Sequence, residues 1–322
     1  MGRSTRMRRV IVAAVAIATV WAAGAAAQQR AAGARDFDGE YRAAVQAAKD
    51  AAAFEFLGTL VRTCLLPQSG GENTSDTMPD FVADPKKAPA RETWYAEPAK
   101  VFDDLEELIV GGMQKLGLDP KQIKYIIISH AHTDHIGGAE ILQRKYGARV
   151  VMGAPDWDTV EKYPNRYKTM APKRDIVATD GMKITLGGRT VTIWTTPGHT
   201  PGTLSYTFTA LDRGRTVNIA YSGGTAFNFV NNTPVPGIRN FQTYIDSQKK
   251  MAEKASAVHA TVLLSNHSEF DNAYNKNRML AGRGNGPHPY EIGEEWVQRY
   301  FKVMQGCARA AQIRLEQRQA QS

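Results

Sequence analysis

Apolar runs, broken by Gly, Pro and Asp, divide the chain into predicted elements. Residues 36–63 (DFDGEYRAAVQAAKDAAAFEFLGTLVRT) set apolar side chains at three- and four-residue spacing, which predicts helix. Residues 67–98 are rich in Pro, Gly, Ser, Asp and Lys without a period, and predict a long surface loop. AKVFDDLEELIVGGMQKLGL predicts a helix around 103–116, ended by DPKQ. IKYIIIS is short, continuous and β-branched, the signature of a buried strand. An amphipathic helix (AEILQRKYG) and a second strand (ARVVMG) follow. MKITLGG, RTVTIWTTPG, TLSYTFTA and TVNIAYSGG then alternate apolar and polar residues between turns and predict four more strands. A helix near 240–257, a last short strand in TVLLSNHSEF and a helix over about 290–319 complete the pattern. Such an order predicts an α/β fold of two sheets packed on each other with helices outside.

The N-terminus departs from this pattern. Arg3, Arg6, Arg8 and Arg9 precede the apolar run VIVAAVAIATVWAA, and AGAAAQQ offers an A-x-A cleavage site after Ala27. The expected organisation is a signal peptide over 1–27, a helix-and-loop extension over 28–99 and a main domain over 100–322. The apolar run is short and no stop-transfer charges follow it, so no membrane association is expected after leader removal. A periplasmic or secreted protein is the resulting expectation. Loss of four leader arginines takes the net charge from +8 to 8 − 4 = +4. That mild excess, without a basic-aromatic cluster, excludes a nucleic-acid partner.

Only Cys64 and Cys307 occur, 243 positions apart. An oxidising compartment leaves two alternatives, one disulfide between the N-terminal region and the C-terminal helix or two separate buried thiols. Neither cysteine sits beside a histidine or in a Gly-rich turn, which disfavours a catalytic thiol.

The candidate chemistry begins where IKYIIIS stops. ISHAHTDHIGG crowds His130, His132, Asp134 and His135 into six residues. His199 follows a strand in TTPGHTPG and His267 follows one in LLSNHSEF, so five of the seven histidines lie at predicted strand ends. His259 and His288 are read as structural. Three imidazoles and a carboxylate in one strand end need costly satisfaction unless a cation organises them. Imidazole and carboxylate donors without thiolate favour zinc, and six donors suit two adjacent ions with positions left for water.

HAHTDH resembles the HxHxDH motif of the metallo-β-lactamase superfamily, with PGHTPG and SNH downstream in the expected order. The resemblance implies a four-layer αββα sandwich. It implies two zinc ions, the first on His130, His132 and His199 and the second on Asp134, His135 and His267. It also gives Asp134 the catalytic role of orienting a zinc-activated water. Flavodiiron relatives carry Glu where this chain has His132, which argues against redox iron chemistry. Relatives such as glyoxalase II supply a bridging Asp where this chain has Gly223 and Gly224, and no Cys ligand occurs there. The His/Asp-only set is most similar to the third subclass of class B β-lactamases. Ser222, Thr225 and Asn228 fall near the position where relatives bind a substrate carboxylate, with loop capping as the competing reading. Asn266 and Asn272 flank His267 with the same two readings.

One departure from the family pattern stands out. No strand pair is read between Val101 and His130, so the first sheet is expected to lack N-terminal strands. Three readings follow, all with a small-molecule ligand. They are a zinc enzyme opening β-lactam amides, a zinc hydrolase of lactones, thioesters or other esters, and a metal-binding homologue with impaired catalysis.

Overall fold

The structure, a computed structural model, describes residues 35–65, 86, 100–102, 105–106, 110–226 and 234–322. The leader over 1–27, all of the 67–98 loop except Lys86, and Asn228 lie outside the described residues. Among the described residues, no helix is long and apolar enough to cross a membrane.

Two sheets carry the architecture. Strands β3 (Tyr125–Ile127), β4 (Arg149–Gly153) and β5 (Ile176–Ala178) form a parallel sheet in the order β3-β4-β5. Strands β6 (Lys183–Leu186), β7 (Arg189–Thr195), β8 (Leu204–Asp212), β9 (Arg215–Ser222) and β10 (Val262–Ser265) form the second, in the order β10-β9-β8-β7-β6. Neighbours from β6 to β9 run antiparallel, and β10 runs parallel to β9. It follows that β7, β9 and β10 all point the same way, so the loops leaving them emerge at one end of the sheet. A bond from Leu204 N–H to Ser129 O (2.8 Å) brings the loop after β3 to that same end. Four loops therefore converge.

The layering follows from strand periodicity. In β4, Val150 and Met152 join Trp157, Val160, Ile136 and Tyr167 on the helix side, while Val151 turns to the other face. There Val151 meets Ile184, Ile193, Leu204 and Tyr206 of the second sheet, and the Tyr206 hydroxyl donates to Ile127 O (3.2 Å). Against the outer face of the second sheet lie two helices, Pro234–Ala257 and Glu294–Gln321, and residues 41–52 of a further helix, Phe37–Ala52, join the same core cluster. The order is helix, sheet, sheet, helix, which is the αββα sandwich.

Contacts divide the chain between Glu40 and Tyr41, inside the first helix, and residues 41–322 form one unit. The first helix buries Val45, Ala48, Ala51 and Ala52 at three- and four-residue spacing. A Cβ at Gly306 would stand 2.9 Å from Ala48 Cβ, so the C-terminal helix approaches it closely through a glycine. Next to this contact Cys64 and Cys307 are joined in a disulfide, which closes the alternative left open by the sequence.

Two expectations are corrected. In place of a helix over 103–116, the described residues show an antiparallel pair, β1 (Lys100–Phe102) and β2 (Leu105–Glu106), and a helix over Val110–Lys115. VFDDLEEL is too short a window to separate a helical from an alternating period, and its two Asp residues are weak helix formers. The chain thus has a strand pair ahead of the ligand loop. It forms a sheet of its own, and among the described residues the first sheet keeps three strands. The sequence reading also missed β5 and the helices Ala154–Lys162 and Ala273–Ala281.

Candidate metal centre

Each predicted ligand sits where a strand releases the chain. After β3, Ile128 N–H bonds Val151 O (2.9 Å) and so extends the strand's hold by one residue. A short helix, Thr133–Ile136, then buries Ile136 against Trp157 and Met152, and this turn presents His132, Asp134 and His135 together. His199 follows β7 and His267 follows β10, both on the convergent end.

The six side chains form two triads. His199 Nε2 lies 3.0 Å from His130 Nε2 and 3.2 Å from His132 Nδ1. His135 Nε2 lies 3.1 Å from His267 Nε2, and Asp134 Oδ2 lies 3.4 Å from each of those nitrogens. Three donors about 2.0–2.1 Å from one tetrahedral ion stand roughly 3.3–3.4 Å apart. The observed spacings fit one ion in each triad, and the grouping is the one implied by the HxHxDH resemblance.

The proton positions say more. His130 Nδ1 lies 2.8 Å from Gly223 O and His199 Nδ1 lies 2.6 Å from Ala226 O. A carbonyl only accepts, so both Nδ1 atoms carry the proton and both Nε2 atoms are bare. Burial, with help from His199, holds the His130 pKa well below its usual value. Burial, then the neighbouring His132, lowers that of His199 to about 3. Burial lowers His132 to about 4 and His135 to about 4, in the latter case against the opposing pull of Asp134. These rings are neutral at pH 7. Two bare lone pairs facing each other across 3.0 Å repel, and a cation between them removes the repulsion.

Gly223 and Gly224 have a steric reason. A Cβ at Gly223 would collide with Leu204 O, and one at Gly224 would collide with His199 Cβ. No carboxylate fits at either position, so the donor set here is histidine and Asp134. Gly224→Ala is expected to cost about 1–3 kcal/mol by overpacking and to lower bound zinc, read by thermal unfolding and metal analysis. Unchanged metal content would contradict the steric account.

Ser222 and Thr225, expected near a substrate carboxylate or as loop caps, make inward contacts here. Both are buried, and neither lines the cavity beside the triads. Thr225 Oγ1 shares hydrogen bonds with the Tyr300 hydroxyl (2.6 Å) and Ser265 Oγ (2.8 Å), and donates to Asn266 Oδ1 (3.0 Å). Ser222 also bonds Tyr300. These hydroxyls tie the metal-binding end to the C-terminal helix. Asn272 has a left-handed φ of 60° and caps the turn Ser268–Asp271. His288 is buried and accepts from Tyr290 N–H (3.2 Å), and His259 lies exposed beside Glu294.

A cavity of about 270 Å³ opens beside the first triad, with His132 and His199 in its wall. Tyr163, Arg166, Asn240 and Thr243 line it further out, and the sequence reading had singled out none of them. The second triad is more open, with Asp134 52% and His267 39% exposed. The arrangement offers two adjacent cation sites, one beside a cavity and one facing solvent.

Comparison with known proteins agrees with this geometry. Residues 93–212 match the model of the metallo-beta-lactamase superfamily. The hydroxyacylglutathione hydrolase of Acidiphilium cryptum is 33% identical over 87 residues, 27% of this chain and 31% of the relative. That of a Methylobacterium species is 31% identical over 102 residues, 32% of this chain and 33% of the relative. The chain thus spans about a third of the length of these curated relatives. Among solved structures, the subclass B3 metallo-beta-lactamase BJP-1 of Bradyrhizobium japonicum is similar with a TM-score of 0.50 and 26% identity, over 66% of this chain and 78% of that one. The FEZ-1 metallo-beta-lactamase of Legionella gormanii shares the fold, with a TM-score of 0.51 and 21% identity over 66% of this chain and 80% of that one. With the αββα layers and the paired triads already in place, the matched segment, residues 93–212, reads as a metallo-β-lactamase superfamily domain.

Proposed function

We propose that the protein is an exported two-zinc hydrolase that opens the amide bond of β-lactams or close chemical relatives of that bond. The observation that carries the reading is the pair of bare Nε2 atoms on His130 and His199, 3.0 Å apart, inside a six-residue donor set. Export is supported by the leader-like pattern of the first 27 residues and by the Cys64–Cys307 disulfide. Similarity to a subclass B3 enzyme and the histidine-and-Asp134 donor set support the lactam. The substrate is a small molecule.

Zinc on His130, His132 and His199, and on Asp134, His135 and His267, would supply a water acidified to a pKa of about 7 and an electrophile for the scissile carbonyl. The protein's own contribution is positional. Carbonyls of Gly223 and Ala226 fix the His130 and His199 tautomers, so no proton has to leave either ring before it ligates. Asp134 directs Oδ2 at His135 and His267, leaving Oδ1 to accept a hydrogen bond from the attacking water. Both cysteines are in the disulfide and the Ser222 and Thr225 hydroxyls are turned inward, which supports water as the nucleophile over any of these four side chains.

A second reading, hydrolysis of a thioester or another ester on the same scaffold, is supported by the names of the curated relatives. The two separate in one experiment. The zinc-loaded protein is assayed with nitrocefin and with a hydroxyacylglutathione thioester, each before and after chelation. Chelator-sensitive nitrocefin turnover is the expected result. Thioester turnover alone would move the assignment to the second reading, and zinc binding without either turnover would leave an inactive homologue.

A further inference from the structure

Asp156 lies 21 residues past the HAHTDH cluster and carries no metal-ligand spacing, yet its carboxylate is 1% exposed at the back of the first triad. It belongs to the first turn of the helix Ala154–Lys162, where the helix N-terminus favours a negative charge. Oδ2 accepts from Ala131 N–H (2.7 Å) and from Thr200 Oγ1 (2.8 Å), and Oδ1 accepts from Gly202 N–H (2.8 Å). Ala131 stands between His130 and His132, and Thr200 and Gly202 follow His199. One buried carboxylate therefore joins the two loops that carry all three residues of the first triad.

The surroundings are shaped for this contact. A Cβ at Gly202 would lie 2.6 Å from Asp156 Oδ1, so only glycine lets its N–H reach the carboxylate. A Cβ at Gly153 would collide with Gly202 O, so the end of β4 must also be bare for the loop to come this close. The other side of the Ala131 peptide is held too, because the Tyr167 hydroxyl donates to Ala131 O (2.6 Å). Both polar groups of the residue between two ligands are thus fixed by side chains from the segment 156–167. The His267 loop of the second triad has a separate buried carboxylate, Asp271, which accepts from Ser265 N–H (2.7 Å) and Ala273 N–H (2.9 Å) and shares no partner with Asp156 among these contacts.

The geometry points to Asp156 as a positioning residue for the first ion alone: it locks the HAH and GHTPG loops at ligand spacing, and the second ion does not depend on it. This inference rests on the metal-centre reading above. It predicts that Asp156→Asn, which puts an NH₂ where one of three donors needs an acceptor, loosens the first triad selectively. Loss of such outer-shell partners typically costs 10–100-fold in metal affinity.

The test isolates each triad in the full chain. Zinc affinity is measured by competition with a chromophoric chelator, with and without Asp156→Asn, in an Asp134→Ala background that leaves the first triad and in a His199→Ala background that leaves the second. An approximately 10–100-fold loss is expected in the first background, and no change in the second. The cobalt(II) absorption bands of the first background should shift in the same variant. Thr200→Val removes one of the three donors and should weaken the first site in the same direction by less, which keeps the claim testable if Asp156→Asn unfolds. Equal affinities in the first background, or equal losses in both backgrounds together with an unaltered Thr200→Val, would overturn the inference. A wild type that holds no ion would overturn the metal-centre reading and this inference with it.

Discussion

Asp134→Ala is expected to lower hydrolysis by about 10²–10⁴-fold, the usual worth of a positioned acid–base group, while one zinc ion per chain remains. The side chain is 52% exposed and supports no core contact, so the loss is not a folding defect. Asp134 is the one carboxylate among the six donors, and its Oδ2 lies 3.4 Å from both His135 and His267. Removing it takes a ligand from the second triad and the acceptor for the attacking water at once. The first triad keeps its tautomer-fixing carbonyls and its Asp156 clamp, which is why one ion should stay. Wild-type turnover with two ions still bound would show that Asp134 neither orients water nor ligates.

The second large effect is on stability. Converting Cys64 and Cys307 together to alanine is expected to cost about 2–4 kcal/mol, which for a chain of this size lowers the melting temperature by about 3–6 °C. The bridge spans 243 residues, so its loss frees a long loop in the unfolded chain. The cross-linked helices are otherwise held by close packing at Ala48 and Gly306 and by Arg299, whose side chain donates to the carbonyls of Asp50 (2.6 Å) and Ala51 (3.0 Å). Tyr300, next to Arg299 and about two turns before Cys307, reaches Thr225 behind the metal loops. Thermal unfolding of the double variant beside the wild type reads the effect, and coincident curves would remove the disulfide from the stability account. Zinc content at 25 °C should be unaltered, because the bridge lies outside both triads.

The contrast between what the sequence foretold and what it concealed has a physical origin. His130, His132, Asp134 and His135 were legible because four donors crowd into six residues directly after a β-branched strand. His199 and His267 were legible because each ends a strand of its own, and strand direction then brings them to one side. Asp156 was not, since its meaning depends on partners 25, 44 and 46 residues away and nothing near it in APDWD marks it. The inward turn of Ser222 and Thr225 was hidden for a similar reason. Their hydroxyls meet Tyr300, 75 residues past Thr225, and no local pattern says which face of a loop an OH will take. The three residues of β5 and the short pair at 100–106 are below the length at which hydrophobic periodicity separates strand from helix.

The central claim is that the six donors hold two zinc ions, and metal analysis of the purified full chain tests it most directly. After exhaustive dialysis against metal-free buffer and reloading with zinc, two ions per chain are predicted for the wild type and at most one for His199→Ala. A wild type that retains no zinc, or a His199→Ala variant that retains as much as the wild type, would contradict it.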